Sequence, residues 1–316
     1  MSVYKAVEKK WKRVKTNAIL DERGERIEEA IHVIDPHALT MEQSTWIRKV
    51  DECIVVGDAK CVIYAITLPE TKSCNGFYIL VGALDACTQR DLAEKCLIEY
   101  AEAPHTTNLH PLNQQIDKIW MKATSRRQNE PDPMNKLHWA ALGYHYNWTL
   151  RAYPEEQGSH IPELLQKLGE ACANAVGFEI TSEAALVNYY KANSTMGGHQ
   201  DNVEITFDHP VVSFSIGSDA IFLKGGLTKD EVPIEILLRS GDVVVMGGES
   251  RLCFHGIAKT MPNNCIPAFP KELPNCNVLY HNIQEYVCSN RLNINVRQVF
   301  PTKSDQESDR KRHKSS

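Results

Sequence analysis

The sequence predicts an α+β protein: a mixed N-terminal region of about 180 residues, then a β-domain built as a sandwich or barrel. Beyond residue 180, short β-rich runs follow one another: "AALVNYY", "EITFD", "VVSFSIG", "AIFLKGG", "IEILLRSG", "DVVVMGG", "LCFHGI" and "RLNINVRQVF". Turn residues punctuate them at roughly ten-residue spacing. Before residue 180, the β-rich runs "CVIYAITL" and "GFYILVG" are interleaved with helical periodicities instead. No internal repeat points to a solenoid.

In chain order, residues 4–17 read as a helix, because Val7, Trp11 and Val14 recur at spacings of four and three and share one face. Lysines and Arg13 fill the rest of its surface. Two readings suit it: a surface helix docked by its apolar stripe, or a docked helix turning Lys9, Lys12 and Arg13 toward a nucleic-acid backbone. "TQRDLAEKCLIEYAEA" has helical periodicity, and residues 104–133 read as a helix followed by a linker. A helix over 162–176 opens with Pro162 in its first turn, where a missing N–H costs nothing. The expected organisation is a helical and β region over 1–180 carrying a substrate-binding extension, a β-domain over 181–302 and a disordered basic tail over 303–316.

Composition narrows the function classes. At 316 residues with 42% hydrophobic side chains the chain suits a globular protein, and its net charge of −5 excludes a generally basic nucleic-acid coat. No run of eighteen apolar residues occurs, so no membrane partner is expected. The 10 cysteines include no CxxC pair, so they read as small buried thiols in a reducing compartment, not a zinc site or a disulfide framework. The basic "RKRHK" fits nuclear import, which gives nucleus or cytoplasm, with a mitochondrial address as the alternative suggested by the basic N-terminus.

The chemistry concentrates in the β-domain. In "STMGGHQDNVEIT", His199 and Asp201 stand two apart, and on an extended strand such residues share a face. They are either metal ligands or polar residues of a turn. His255, ending the run "LCFHGI", is either a core histidine bonded to backbone or a third ligand. Two histidines and a carboxylate on adjacent strands would leave open positions for a co-substrate and dioxygen, as in non-haem Fe(II) oxygenases. In "RLNINVRQVF", Arg291, Asn293, Asn295 and Arg297 alternate with Leu292, Ile294 and Val296. This is either a solvated strand or the wall of a barrel interior. In the second case two buried guanidinium groups need anions, and a dicarboxylate supplies two. Asn188 and Tyr190, again two apart, offer an amide and a phenol to carboxylate oxygens.

Together, "NYY", "HQD", "VVSFSIGSDAIF", "SGDVVVMGGESRLCFHGI" and "RLNINVRQ" resemble the AlkB-type Fe(II)/2-oxoglutarate dioxygenases over about residues 185–300. "GFYILVGALD", "LGYHYNW" and "LKGGLTKDEVP" look most like the animal AlkB homologue 1 group. The resemblance implies a double-stranded β-helix (jelly-roll) core on which the N-terminal extension packs. It implies Fe(II) held by His199, Asp201 and His255, and 2-oxoglutarate and O2 as co-substrates. Arg291 would bind the distal carboxylate of 2-oxoglutarate, helped by Asn188 and Tyr190, with Asn293 and Arg297 supporting the other end. The implied reaction hydroxylates N-methyl groups of nucleobases in tRNA or DNA and releases formaldehyde, succinate and CO2. Its partner would be tRNA, or unpaired or bubbled DNA, because a base inside a duplex stack cannot reach a buried metal. Alternatives are a histone or protein demethylase and a non-catalytic nucleic-acid-binding relative; oligomeric state is not legible. Bacterial AlkB has an acid contacting the base two residues after its aspartate ligand; here that residue is Val203, so the bacterial base preference is not carried over. Tyr144, Tyr146 and Trp148 either line a base pocket or pack as a core cluster.

Overall fold

The computed structural model describes residues 1–15, 18–20, 25–66, 75–147, 150 and 152–302. Trp148 and the basic tail 303–316, expected to be disordered, lie outside the described residues. The N-terminal region contributes α1 (Val3–Arg13), β1 (Ile47–Ile54), β2 (Lys60–Ile66), β3 (Phe77–Val81), α2 (Ala86–Ile98), β4 (Thr106–Thr107), α3 (Ile119–Ser125), β5 (Trp139–Gly143) and α4 (Glu163–Asn174). Then follow β6 (Ala184–Tyr190), β7 (Met196–His199), β8 (Val211–Gly217), β9 (Asp219–Lys224), β10 (Ile234–Leu238), β11 (Val243–Met246), β12 (His255–Met261), α5 (Val278–Ser289) and β13 (Arg291–Arg297).

These strands form two antiparallel sheets, a large one ordered β1-β2-β3-β11-β8-β13-β6-β5-β4 and a small one ordered β10-β9-β12-β7. Facing each other, they make the double-stranded β-helix. The division at residue 180 falls inside this architecture, since β3 pairs directly with β11 and β5 with β6. Period two sorts each strand's side chains. Leu292, Ile294 and Val296 of β13 join the core beneath α2, α4 and α5, beside Leu92, Leu165 and Val287. Between the sheets, Phe77, Val211 and Val244 meet Ala220, Phe222 and Ile257. On the outer face of the small sheet, Tyr4 and Trp11 of α1 pack on Leu223, Leu237 and Ala258. Each such buried aromatic contributes about 2–3 kcal/mol of transfer free energy.

Three local expectations are corrected. The run "EITFD" (204–208) is a loop: Glu204 is drawn into a buried ionic network, and the N–H groups of Ile205 and Thr206 both donate to the Val299 carbonyl. His255 begins β12 instead of ending a run, because Cys253 N–H donates to Ser250 and holds the preceding residues in a turn. On α1 the buried face is Tyr4, Glu8, Trp11 and Val14, with Val7 at its half-buried edge. Lys10 is not a free surface cation either, since both Glu235 carboxylate oxygens accept from its ammonium at 2.7 and 2.6 Å. Of the cysteines in the described residues, Cys61, Cys96, Cys172, Cys253 and Cys288 are buried thiols outside any disulfide, whereas Cys87 and Cys265 are exposed. Among the described residues no helix is long and apolar enough to cross a membrane.

Candidate active site

The register between β7 and β12 sets His199 opposite His255. Asp201 lies two residues beyond His199, just past the strand end, and the donor atoms of the three residues all fall within 4.8 Å of one another. His199 Nδ1 is 3.1 Å from the Gly197 carbonyl, and His255 Nδ1 is 3.1 Å from the Cys253 carbonyl. A carbonyl only accepts, so each Nδ1 carries a proton, the tautomer that in a neutral ring turns the Nε2 lone pair toward the cluster. Burial, reinforced by His199, pushes the His255 imidazole down to about 4. It is therefore neutral at physiological pH. Burial alone would raise the Asp201 carboxyl, but Arg297 with the two histidines and Arg251 holds it well below the usual carboxylate range. Two imidazoles and an anionic carboxylate are the donor set of a facial Fe(II) triad.

Asp201 belongs to a buried ionic network. Arg297 Nη2 lies 3.2 Å from Asp201 Oδ2, and its Nη1 donates to Glu204 Oε1 at 2.8 Å. Arg251 meets the other Glu204 oxygen at 3.2 Å and donates to the main-chain carbonyls of Asp201 at 2.6 Å and His209 at 3.0 Å. Arg297, expected near the metal end of the co-substrate, lines the cavity there while ion-paired to Asp201 and Glu204. Sequence reasoning missed Glu204 and Arg251 as site residues. Glu204 sits in a strand-like run, and the acceptors of Arg251 are 42 and 50 residues away, so no periodicity signals them.

The cavity between the sheets has a volume of about 530 Å³ and is lined by the triad and by the polar face of β13. The solvated-strand reading of β13 therefore gives way to the barrel-wall reading. Arg291 is 1% exposed; its Nη2 donates to Ser215 Oγ at 2.9 Å, while Nε and Nη1 have no hydrogen-bond partner. Burial pushes this guanidinium down to about 10, which still leaves it cationic at neutral pH. A buried cation with two open donors is costly by itself and matches a carboxylate accepting in a fork. Asn188 and Tyr190 line the same cavity, and the Tyr190 ring centroid lies 5.6 Å from the guanidinium carbon. Asn293 holds the wall: its amide donates to Phe214 O and Ser213 Oγ, each at 2.9 Å, and its oxygen accepts from Asn295. The residues present fit Fe(II) and 2-oxoglutarate.

Tyr144 and Tyr146 line the cavity, as does Val203, and the two tyrosine rings lie 4.9 Å from Phe300 and 5.3 Å from Tyr153 respectively. Lys9, Lys12 and Arg13 are exposed on α1 and do not line the cavity.

Residues 76–297 match the 2OG-Fe(II) oxygenase superfamily, and the chain belongs to that family. Fe(II), 2-oxoglutarate and O2 are the cofactor and co-substrates that membership implies. Within it, the chain's relatives are AlkB proteins. It is 34% identical over 257 residues to the nucleic acid dioxygenase ALKBH1 of Mus musculus, covering 73% of this chain and 66% of the relative. It is 33% identical to the DNA N(6)-methyladenine demethylase ALKBH1A of Arabidopsis thaliana, covering 71% of this chain and 75% of the relative. It is 31% identical to the tRNA demethylase abh1 of Schizosaccharomyces pombe, covering 73% and 82%. The chain thus spans just under two thirds of the length of the mouse protein. The solved structure of OsALKBH1 shares the fold, with a TM-score of 0.50 at 24% identity over 71% of this chain and 96% of that one.

Proposed function

We propose that this protein is an Fe(II)- and 2-oxoglutarate-dependent oxidative demethylase of N-methylated nucleobases in tRNA or in unpaired or bubbled DNA. One observation carries the reading: the metal-donor triad and the two open donors of Arg291 face a single cavity. Its support from relatives is that those of mouse, Arabidopsis and fission yeast bear nucleic acid dioxygenase or demethylase names.

Fe(II) bound at the triad, with 2-oxoglutarate and O2, supplies the oxidation that turns an N-methyl into an N-hydroxymethyl group while succinate and CO2 form. The hydroxymethyl amine then breaks its C–N bond, giving formaldehyde and the free amine. The chain's own residues bind and orient. Arg291 anchors a co-substrate carboxylate through Nε and Nη1, Arg297 keeps Asp201 anionic, and the two Nδ1–H···O=C bonds fix the histidine rings. Tyr144 and Tyr146 offer π-faces to an extruded base. Val203 presents an apolar wall with no hydrogen bond to give.

Succinate formation under aerobic Fe(II), compared between wild type and His199→Ala, tests the chemistry; equal succinate yields would sink it. Incubation with methylated tRNA, single-stranded DNA and bubbled DNA, followed by nucleoside mass spectrometry, tests the substrate class. Demethylation confined to a histone peptide would overturn the nucleic-acid assignment. Charge reversal of Lys9, Lys12 and Arg13 is expected to weaken binding and to reduce its salt slope by up to about one for each phosphate no longer neutralised.

A further inference from the structure

Strand β7 carries a bulge beside the metal site. His255 pairs with His199 and Ile257 with Met196, so two residues of β7, Gly197 and Gly198, oppose Gly256 alone. A bulge breaks the ladder locally, bends its strand and re-aims the next side chain. Here the next side chain is His199. The Gly198 N–H at this bulge donates to Glu8 Oε1 at 2.6 Å, across 190 residues of sequence. Glu8 is buried on α1, and its other carboxylate oxygen lies 2.6 Å from Lys5 Nζ.

Tyr4, one helical turn before Glu8, occupies the space behind both ligand histidines. It is 1% exposed, and its hydroxyl donates to the Leu223 carbonyl at 3.3 Å. A Cβ added at Gly198 would fall 2.4 Å from the Tyr4 ring, one at Gly225 2.8 Å from it, and one at Gly256 3.2 Å from its hydroxyl oxygen. Gly198 immediately precedes His199, Gly256 immediately follows His255, and Gly225 follows Lys224, the β9 residue paired with His255. The glycines thus leave a shallow slot on the sheet that Tyr4 of α1 fills, with the Met196 carbonyl still closer at Gly256 (2.6 Å).

We propose that α1 is a positioning element of the metal centre, with Glu8 fixing the bulge that aims His199 and Tyr4 bracing the strands that carry both histidines. This rests on the triad being the metal site. Helix α1 touches neither metal nor substrate in this role; it sets the orientation of ligands that do, as outer partners of metal ligands generally do.

The test is Mn(II) affinity of the full chain, read by electron paramagnetic resonance of the free ion, together with the visible spectrum of the Co(II)-loaded protein. Glu8→Ala is expected to weaken Mn(II) binding about tenfold and to shift the Co(II) bands. Glu8→Gln, which keeps an oxygen for the Gly198 N–H, is expected to stay within about twofold of wild type with an unchanged spectrum. Unchanged affinity and spectrum in Glu8→Ala overturn the proposal, even if that variant melts earlier. Equal losses in both variants overturn it as well, because charge and not the accepted hydrogen bond would then be at work. Should Glu8→Ala fail to fold, the wild type itself decides: coupling is reciprocal, so Mn(II) must slow backbone hydrogen exchange in residues 3–13. Exchange indifferent to Mn(II) overturns the proposal. Wild type binding Mn(II) no better than His199→Ala would instead remove the metal reading, and the proposal with it.

Discussion

At one end of β13, Arg297 sits in a closed circuit with Asp201, Glu204 and Arg251, whereas at the other end Arg291 is buried with two donors facing no protein acceptor. The two arginines share a strand, a face and a cavity, yet desolvation acts on them differently. Asp201 and Glu204 offset the burial of Arg297 and raise its pKa, while burial is left to lower that of Arg291. The first end has its charges paired before any small ligand arrives. The second carries a desolvation cost that a bound anion would offset. On the proposed function, selectivity for a carboxylate co-substrate would come from withholding a partner, not from adding one.

The largest expected effect breaks the closed end. Glu204→Ala leaves two buried guanidinium groups in one place, and removing one partner of a buried pair costs about 3–5 kcal/mol. Urea unfolding of the metal-free chain should show a loss of that size with an unchanged slope. A loss below about 1 kcal/mol would mean the circuit is solvated and the comparison is wrong.

The open end should answer in the opposite direction. Arg291→Leu removes a buried, half-satisfied cation, so the ligand-free chain is expected to be as stable as wild type or about 1 kcal/mol more stable. The same substitution should weaken 2-oxoglutarate binding about a hundredfold, since a charge-assisted fork is worth roughly 2–4 kcal/mol. Calorimetric titration and thermal melting, with and without 2-oxoglutarate, read both quantities. If Arg291→Leu unfolds the ligand-free chain as readily as Glu204→Ala does, the two ends are not different in kind.

This asymmetry explains which parts of the molecule were legible in the sequence. Arg291 and Arg297 announce themselves together, because strand alternation puts both on the face opposite Leu292, Ile294 and Val296. His199 and Asp201 are likewise visible as a pair two apart. What separates the two arginines is not local. Glu204 and Arg251 come from a loop and a turn, and only the fold brings them to Asp201. The face of α1 was legible in its apolar residues Trp11 and Val14, but not in Tyr4 and Glu8. Their sites are glycines on other strands, and a glycine floor leaves no mark on the helix that it receives. Turn spacing indicated a β-sandwich or barrel and the family resemblance implied the jelly-roll, while β1 and α5 gave no signal strong enough to stand apart from their surroundings.

A third way of handling polarity appears at the cavity wall around His145, and it carries the smallest expected effect. Its Nδ1 lies 2.9 Å from Thr106 Oγ1 and its Nε2 3.1 Å from Ser159 Oγ, which also meets His105 Nδ1 at 2.9 Å. No carboxylate is among these partners. Burial, with His105 and His110 nearby, pushes His145 down to about 4, and burial also lowers His105. In the unfolded chain a histidine takes up its proton near pH 6.5, before the folded one does. The stabilisation from the neutral ring is therefore complete above about pH 6.5 and is lost as pH falls toward 4. Because the ring is only partly buried, the wild type should lose roughly 1 kcal/mol more than His145→Gln between pH 7 and pH 4.5, as read by urea midpoints. The difference between the two proteins isolates this ring from His255, which titrates in the same window. Parallel pH profiles would show that the hydroxyl partners stabilise both protonation states alike, and the cavity wall would then behave like the closed circuit around Glu204.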